Sequence, residues 1–382
     1  MIPRILALLD RLVEAPTGTG FARLCAEAYF RIGAEAKGQE LVERRLTEAR
    51  SGLSPEGVYV LCSFAEAFVR LERVERAIPL VQEAARMPRV LDPARTAERH
   101  LDLASAYAAV RRPADARLQL DLARDEQLLN ALDLEGRVDH LARVADSLRD
   151  DLAELDAAKE TFARALSLER QLDSGDDFCA IVFARIAADL GLADEVERRL
   201  PRMPADDVGT LLGALVGAAP DSLDRAREIV DADPGPLRTR RMISLAAGMA
   251  PHTEHAAAAR GLLDEALARV KDEPAERRWE SLALASGVLV GDLVDFAGGL
   301  RLARESLDAF GAVHEDAEGW GSRAVIVAGA LIAAGDLERG LALAERRLGP
   351  TPGSAALVGV ALLCRDAADV VIAGPRVRRR RA

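Results

Sequence analysis

One recurring pattern constrains the fold of this chain more than any other feature: a helix-forming segment, a short turn, and a second helix-forming segment with a small residue near its start. The stretch "RAVIVAGALIAAGDLERGLALAERRLGPTP" shows the pattern late in the chain, with a Gly-Asp turn at residues 335 and 336. Small residues at fixed offsets let two helices approach closely, and a large apolar residue fills the space between pairs. The pattern predicts a chain of stacked helix pairs.

Further copies occur along most of the chain. The small residue of the second helix falls at positions 38, 77, 116, 158, 196, 226, 258, 299 and 340, so that consecutive copies lie 30 to 42 residues apart. One copy departs from the template, because "VDHLARVADSLRD" has Asp146 and Arg149 where a small and a large apolar residue are expected. A single helix pair cannot bury its own apolar face, so neighbouring pairs are expected to share one continuous core.

The pattern resembles that of the tetratricopeptide-repeat (TPR) superfamily over roughly residues 20 to 350. The clearest matches are Leu103, Ala104, Tyr107, Ala116, Leu120 and Ala123 in one copy and Ala158, Phe162 and Ala165 in the next. The resemblance implies an all-α superhelix, a TPR-like solenoid of about nine helix-turn-helix repeats over residues 1–374, with capping helices at 1–14 and 354–374. HEAT-like repeats have similar periods and stay an alternative. A two-lobed solenoid with a seam near residues 231–240, where prolines interrupt the pattern, is a second alternative.

Composition limits the partners and the compartment. The net charge of −11 disfavours a broad nucleic-acid surface, although the tail from Arg376 to Arg381 is densely basic and is predicted to be disordered at residues 375–382. Four widely separated cysteines without a C-x-x-C pair are typical of a reducing compartment, and no stretch of 18 apolar residues could span a membrane. We expect a cytoplasmic protein, and the oligomeric state stays open.

Motifs for catalysis, cofactors or metals are absent or have simpler interpretations. The "GTG" at residues 18–20 is followed by Arg23, where a dinucleotide-binding fingerprint has its third glycine. His252 and His255 lack a third ligand nearby and are interpreted as part of a helix N-terminus. The carboxylates of "DDLAE" at residues 150–154 resemble a metal-diphosphate motif, but the 14 aromatic residues are spread over the whole chain instead of marking one aromatic-lined cavity. The sequence predicts no enzyme, no cofactor and no metal.

The TPR resemblance also suggests where a partner binds, because the first helix of each pair lines a peptide-binding groove in that superfamily. Carried onto this chain, the groove positions are Arg23, Glu27, Arg31, Tyr59, Glu66, Arg70, His140, Arg143, Asp150, Arg185 and Asp189. Glu27 and Glu66 stand where carboxylate-clamping members have Asn, which disfavours binding of a C-terminal carboxylate.

The leading hypothesis is therefore a non-enzymatic scaffold or adaptor that binds a protein or peptide through the N-terminal repeats. Arg31, Tyr59 and Arg70 are the strongest predicted contacts, because they offer cationic and aromatic surface. The alternative hypothesis is a ligand- or peptide-sensing regulatory module of a bacterial signalling system, which would change shape when its ligand binds.

Overall fold

The structure is a computed structural model, and it describes residues 1–14, 18–51, 56–88, 92–172, 177–204, 207–232, 237–252, 254–311, 320–348 and 354–373. Over these residues the chain is entirely helical, with 21 α-helices, two single-turn 3-10 helices at Leu200–Arg202 and Pro220–Ser222, and no strand. The expectation of an all-α fold is confirmed. The basic tail at residues 375–382 lies outside the described residues.

The α-helices have the following bounds: α1 Ile2–Val13, α2 Thr19–Arg31, α3 Glu35–Arg50, α4 Gly57–Arg70, α5 Val74–Arg86, α6 Pro93–Ala109, α7 Pro113–Ala123, α8 Glu126–Ala131, α9 Leu134–Asp150, α10 Leu155–Glu169, α11 Asp177–Asp189, α12 Ala193–Arg199, α13 Val208–Ala218, α14 Leu223–Asp231, α15 Leu237–Met249, α16 Ala256–Val270, α17 Ala275–Gly291, α18 Phe296–Phe310, α19 Trp320–Ala333, α20 Leu337–Arg347 and α21 Ser354–Ala373.

Consecutive helices pack in pairs. Helix α4 packs on α5, α6 on α7, α9 on α10, α17 on α18, and α19 on α20. The first helices of neighbouring pairs also lie side by side, as α4 does with α6, α6 with α9, and α17 with α19. This packing is consistent with a helical repeat, in which each pair shares its apolar surface with the next.

The turn inside the pairs has a recurring backbone geometry. A residue with positive φ closes seven of these turns: Gly33 (78°), Glu72 (60°), Arg111 (60°), Ala153 (56°), Gly191 (71°), Val294 (57°) and Gly335 (91°). The next amide then reaches back to the end of the first helix, as Arg73 N donates to Phe68 O at 2.8 Å and Asp336 N to Leu331 O at 2.8 Å. This left-handed cap satisfies the last carbonyl groups of the first helix.

In two copies of the repeat, the buried residues lie one position away from those that the sequence pattern predicts. In α9 the fully buried small and large residues are Ala145 and Leu148, not Asp146 and Arg149. The turn after α9 is one residue longer than the turn after α4. Glu154 N donates to Leu148 O at 2.9 Å across six residues, whereas Arg73 N reaches Phe68 O across five. In α16 the buried small residue is Ala259, whereas the predicted Ala258 is exposed.

Helices α13 and α15 approach each other closely through glycines. A Cβ atom added to Gly213 would lie 2.9 Å from Gly248 Cα and 3.0 Å from Ser244 O, both of them backbone atoms. A Cβ atom on Gly209 would lie 2.7 Å from Arg241 Cα. Backbone atoms cannot rotate away as a flexible side chain can, so glycine is required at this helix crossing.

The chain divides into two compact units within α11. Unit 1 consists of Met1–Thr17, Arg31–Ala34 and Ala187–Ala382, and unit 2 consists of Gly18–Phe30 and Glu35–Ile186. Residues 231–240, where the sequence suggests a seam, belong to unit 1, and residues 233–236 among them lie outside the described part.

Helix α1 belongs to unit 1, where it packs against α21. Its apolar stripe, Ile5, Leu8, Leu9 and Leu12, is buried. At one edge of the stripe Arg4 Nε donates to Glu345 Oε1 of α20 at 2.6 Å. The two predicted capping segments, residues 1–14 and 354–374, therefore form helices that cover one another.

Candidate functional site

The first helices of unit 2 carry polar side chains at equivalent positions. These positions, which we call the polar row, are Glu27 on α2, Glu66 on α4, Ser105 on α6, Asp146 on α9 and Arg185 on α11. Two pairs of neighbouring members are in contact: Ser105 Oγ donates to Glu66 Oε1 at 3.0 Å, and Arg185 Nη2 donates to Asp146 Oδ2 at 3.5 Å, each pair being 39 residues apart. The surface that carries the polar row is called the first-helix face below.

Four predicted groove residues form one charge network on this face. Glu27 is only 1% exposed, and its Oε1 accepts from Arg70 Nη2 at 2.8 Å and lies 3.8 Å from Arg23 Nε. Glu66 Oε2 lies 3.7 Å from Arg70 Nη1 and 4.0 Å from Arg23 Nη1. Glu27 Oε2 is buried without a hydrogen-bond partner among the described residues. Both arginines therefore already neutralise carboxylates of the same unit.

The other predicted residues lie in different surroundings. Arg31 is ion-paired with Asp369 inside unit 1. His140 is buried, and its Nε2–H donates to the carbonyl oxygen of Ala123 at 2.8 Å, so it anchors α9 to the end of α7 and adds nothing to the face. Burial also lowers the pKa of His140. Asp150 is paired with Arg149 at 2.8 Å, and Asp189 lies in unit 1.

Two predicted residues, Tyr59 and Arg143, line the same cavity. This cavity, of about 400 Å³, opens on the face between α4, α6 and α9. It is lined by Glu56, Val58, Tyr59, Arg95, Glu98, Arg99, Asp102 and Arg143. Tyr59 is 41% exposed, which is unusual for a large ring surrounded by packed helices. The cavity thus combines an aromatic surface with charges of both signs.

Several carboxyl groups on this face have raised pKa values. Burial raises the pKa of Asp102 to about 7, an effect that Glu98 and Glu66 reinforce and Arg143 opposes. Burial, together with Glu66 and Asp150, raises the pKa of Asp151 to about 6, and burial also raises the pKa of Asp146. The local cations therefore do not offset the loss of hydration around these carboxylates.

The sequence analysis missed Glu98, Asp102, Ser105 and Asp146. A usable signal existed for two of them, because Ser105 follows Glu66 by 39 residues and Arg185 follows Asp146 by the same interval. Carrying the groove offsets onto the third copy identifies Ser105. Asp146 was assigned to the helix interior because the extra turn residue after α9 shifts the alignment by one place.

In the described regions, neither the cysteines nor the side chains that could bind a metal ion form a reactive site. No group of three or more His, Cys, Asp and Glu side chains there could hold a metal ion, and the rings of His252 and His255 have centroids 6.2 Å apart. Cys25 and Cys62 are buried, and burial raises the pKa of the Cys25 thiol to about 12. That thiol stays protonated near neutral pH and is a weak nucleophile.

Comparison with protein-family models gives no match, and neither curated proteins nor solved structures give a significant match to the chain. The TPR resemblance therefore rests on the sequence pattern alone, while the all-helical fold and the packing of neighbouring helices support a helical repeat. Among the helices described, none has the length and apolar character needed to cross a membrane.

Proposed function

We propose that this chain is a non-enzymatic, TPR-like solenoid that acts as a scaffold or adaptor by binding a positively charged segment of a protein or peptide along the first-helix face of unit 2. One observation carries the proposal: Asp102, Asp146 and Asp151 are half-buried carboxyl groups whose loss of hydration raises their pKa values more than the neighbouring arginines lower them. A cationic partner would supply it.

The arrangement of the existing charges supports a positively charged partner. Arg70 is held by Glu27 at 2.8 Å, and Arg149 is held by Asp146 at 2.9 Å, so these cations are already neutralised. At the cavity, loss of hydration raises the pKa of Asp102, Glu98 and Glu66 add to this rise, and Arg143 offsets only part of it. A partner that brings Lys or Arg side chains would gain Coulomb energy without displacing an existing ion pair.

The recurring turn supports the TPR-like, superhelical part of the proposal. A shared cap geometry supports a similar stacking of successive helix pairs, as in repeat proteins whose first helices line a concave side. Extended partner segments bind such surfaces in repeat proteins. A cytoplasmic location belongs to the same proposal.

The test is a titration of the full chain into fluorescein-labelled peptides that are lysine- and arginine-rich, neutral or acidic, followed by fluorescence anisotropy. We expect saturable binding of the basic peptide alone, weakened by added salt. Glu66→Gln removes a central carboxylate and is expected to weaken binding about threefold to tenfold, or roughly 0.7–1.4 kcal/mol.

The matched control is Glu160→Gln, since Glu160 is an exposed carboxylate on the second helix α10. This variant has the same change in net charge and is expected to bind like the wild type. Equal weakening by both variants would mean that the whole charge of the protein attracts the peptide, and the first-helix face would lose its assigned role.

The cavity favours the second candidate, a ligand-sensing regulatory module, because its volume of about 400 Å³ lies within the usual range of small-ligand sites, which is roughly 300–1,000 Å³. A sensing module predicts that ligand binding changes the radius of gyration measured by small-angle X-ray scattering. A constitutive scaffold keeps the same radius with and without peptide.

A further inference from the structure

We propose that the cavity between α4, α6 and α9 binds a guanidinium group, held by Glu98 and Asp102 on one side and stacked on the Tyr59 ring on the other. This inference rests on the proposed function and specifies the ligand chemistry at one point of the first-helix face. The guanidinium belongs to an arginine side chain of a peptide or to a free small molecule.

The charges that line the cavity decide the sign of its ligand. Arg99 donates to the carbonyl oxygens of Ala84, Ala85, Met87 and Pro88 at 2.9–3.3 Å, so its charge is balanced by the end of α5. Arg95 lies 4.0 Å from Asp92, and Arg143 lies 3.9 Å from Asp139. Each lining arginine therefore has an acceptor or a carboxylate close by that does not itself line the cavity.

The carboxylates differ from the arginines in this respect. Glu98 and Asp102 lie one turn apart on α6, which places both on the same side of the helix. Neither makes a hydrogen bond or an ion pair with any residue in the part of the chain that the structure describes. Arg143 attracts the Asp102 carboxylate without forming an ion pair with it, and Glu98 repels it. A cation placed between Glu98 and Asp102 offsets that repulsion.

The shape of the site favours guanidinium over ammonium. A guanidinium is planar and donates hydrogen bonds from two edges, so it can bridge two carboxylates, while its face stacks on an aromatic ring. Tyr59 supplies such a ring, since it lines the cavity and is 41% exposed. An ammonium group is a compact point charge that satisfies one carboxylate and gains less from the ring.

The test compares three lysine-rich peptides that differ at one central residue, which is Arg, Lys or citrulline. With the full-length wild type we expect the Arg peptide to bind about threefold to tenfold more tightly than the Lys peptide, and the citrulline peptide to bind most weakly. Asp102→Asn and Tyr59→Leu are each expected to reduce the Arg-to-Lys ratio towards one, whereas Tyr59→Phe keeps the ring and the preference.

Agmatine serves as the small-molecule probe in the same assay. Its saturable competition with the Arg peptide, lost in Asp102→Asn, supports a guanidinium site open to free ligands. Competition only by peptides containing Arg supports the same site with a peptide as its source. Circular dichroism checks that each variant is folded.

Equal affinities of the Arg and Lys peptides for the wild type overturn this inference but leave the proposed function standing, provided that both bind with salt dependence. An Arg preference that survives in both Tyr59→Leu and Asp102→Asn also overturns it, because the preference then arises elsewhere. If no basic peptide binds, both proposals fail.

Discussion

Replacing Val294 with glycine is expected to stabilise unit 1, although the substitution deletes an apolar side chain. Val294 has φ of 57° in the turn before α18 and is 51% exposed, so its side chain contributes little packing. A left-handed backbone costs an L-residue about 1–2 kcal/mol, and β-branched residues tolerate it least. Glycine removes that strain but makes the unfolded chain more flexible, which offsets about 0.4–1 kcal/mol. The net gain is about 1 kcal/mol.

The measurement is thermal and urea unfolding followed by tryptophan fluorescence. Both tryptophans of the chain, Trp279 and Trp320, belong to unit 1, and Trp279 is buried there, so its emission follows the unit that carries the substitution. A gain of 1 kcal/mol raises the Tm of a domain of this size by about 2–4 °C.

Two glycine variants serve as controls for the size and sign of this effect. Gly335 occupies the equivalent turn with φ of 91°, and Gly335→Ala is expected to lose about 1–2 kcal/mol. Gly261 lies in α16 with no heavy atom within 4 Å of an added Cβ, and Gly261→Ala is expected to gain about 0.5–1 kcal/mol. A lower Tm for Val294→Gly, together with an unchanged Tm for Gly335→Ala, would refute the assignment of strain to these turns.

Three further predictions concern packing and titration. Gly213→Ala is expected to destabilise unit 1 by about 1–3 kcal/mol, because the new Cβ meets backbone at 2.9 Å; an unchanged urea midpoint would show that α13 and α15 can separate. Leu9→Ala is expected to cost about 2–5 kcal/mol and to speed amide hydrogen exchange in α21, and an effect confined to α1 would contradict the packing of these helices. The pKa of Asp102 is about 7 in the folded state, against an ordinary 3.8. Between these two pH values the folded chain keeps a proton that the unfolded chain loses, so this carboxyl group lowers the stability of the fold as the pH rises from about 4 to about 7. The Tm difference between Asp102→Asn and the wild type is expected to increase from about pH 5 to about pH 8, and a constant difference would show that Glu66, Glu98 and Arg143 leave Asp102 with an ordinary pKa.

The helix pairs of this fold could be predicted from the sequence because local chemistry determines them. A small residue must lie where two helices touch, and the turn must lie a fixed distance before it, so Ala77, Ala116 and Ala158 identify both features. The one-residue shifts at α9 and α16 could not be predicted in this way. In an alanine-rich helix, neighbouring positions fit the sequence pattern equally well. Which of Ala258 and Ala259 is buried depends on the helix that packs against α16.

Long-range pairing accounts for most of what the sequence did not reveal about the site. Arg31 has the residue type and helix position of a groove contact, yet its partner Asp369 is 338 residues away in the sequence. His140 was also assigned to the groove, but the carbonyl oxygen of Ala123 holds it inside the helix packing. Tyr59 and Arg143 were identified separately, and the cavity that joins them depends on how α4, α6 and α9 pack.

The contact between α1 and α21 also has a consequence for biosynthesis. Arg4 and Glu345 are separated by 341 residues, which a ribosome needs roughly 20 to 70 s to add at about 5–20 residues per second. Over that period the apolar stripe of α1 lacks its contact with α21, whereas α4 to α10 can assemble as they emerge because their contacts are local. The apolar stripe of α1 is therefore covered by α21 only late in synthesis, after most of the helix pairs have been made.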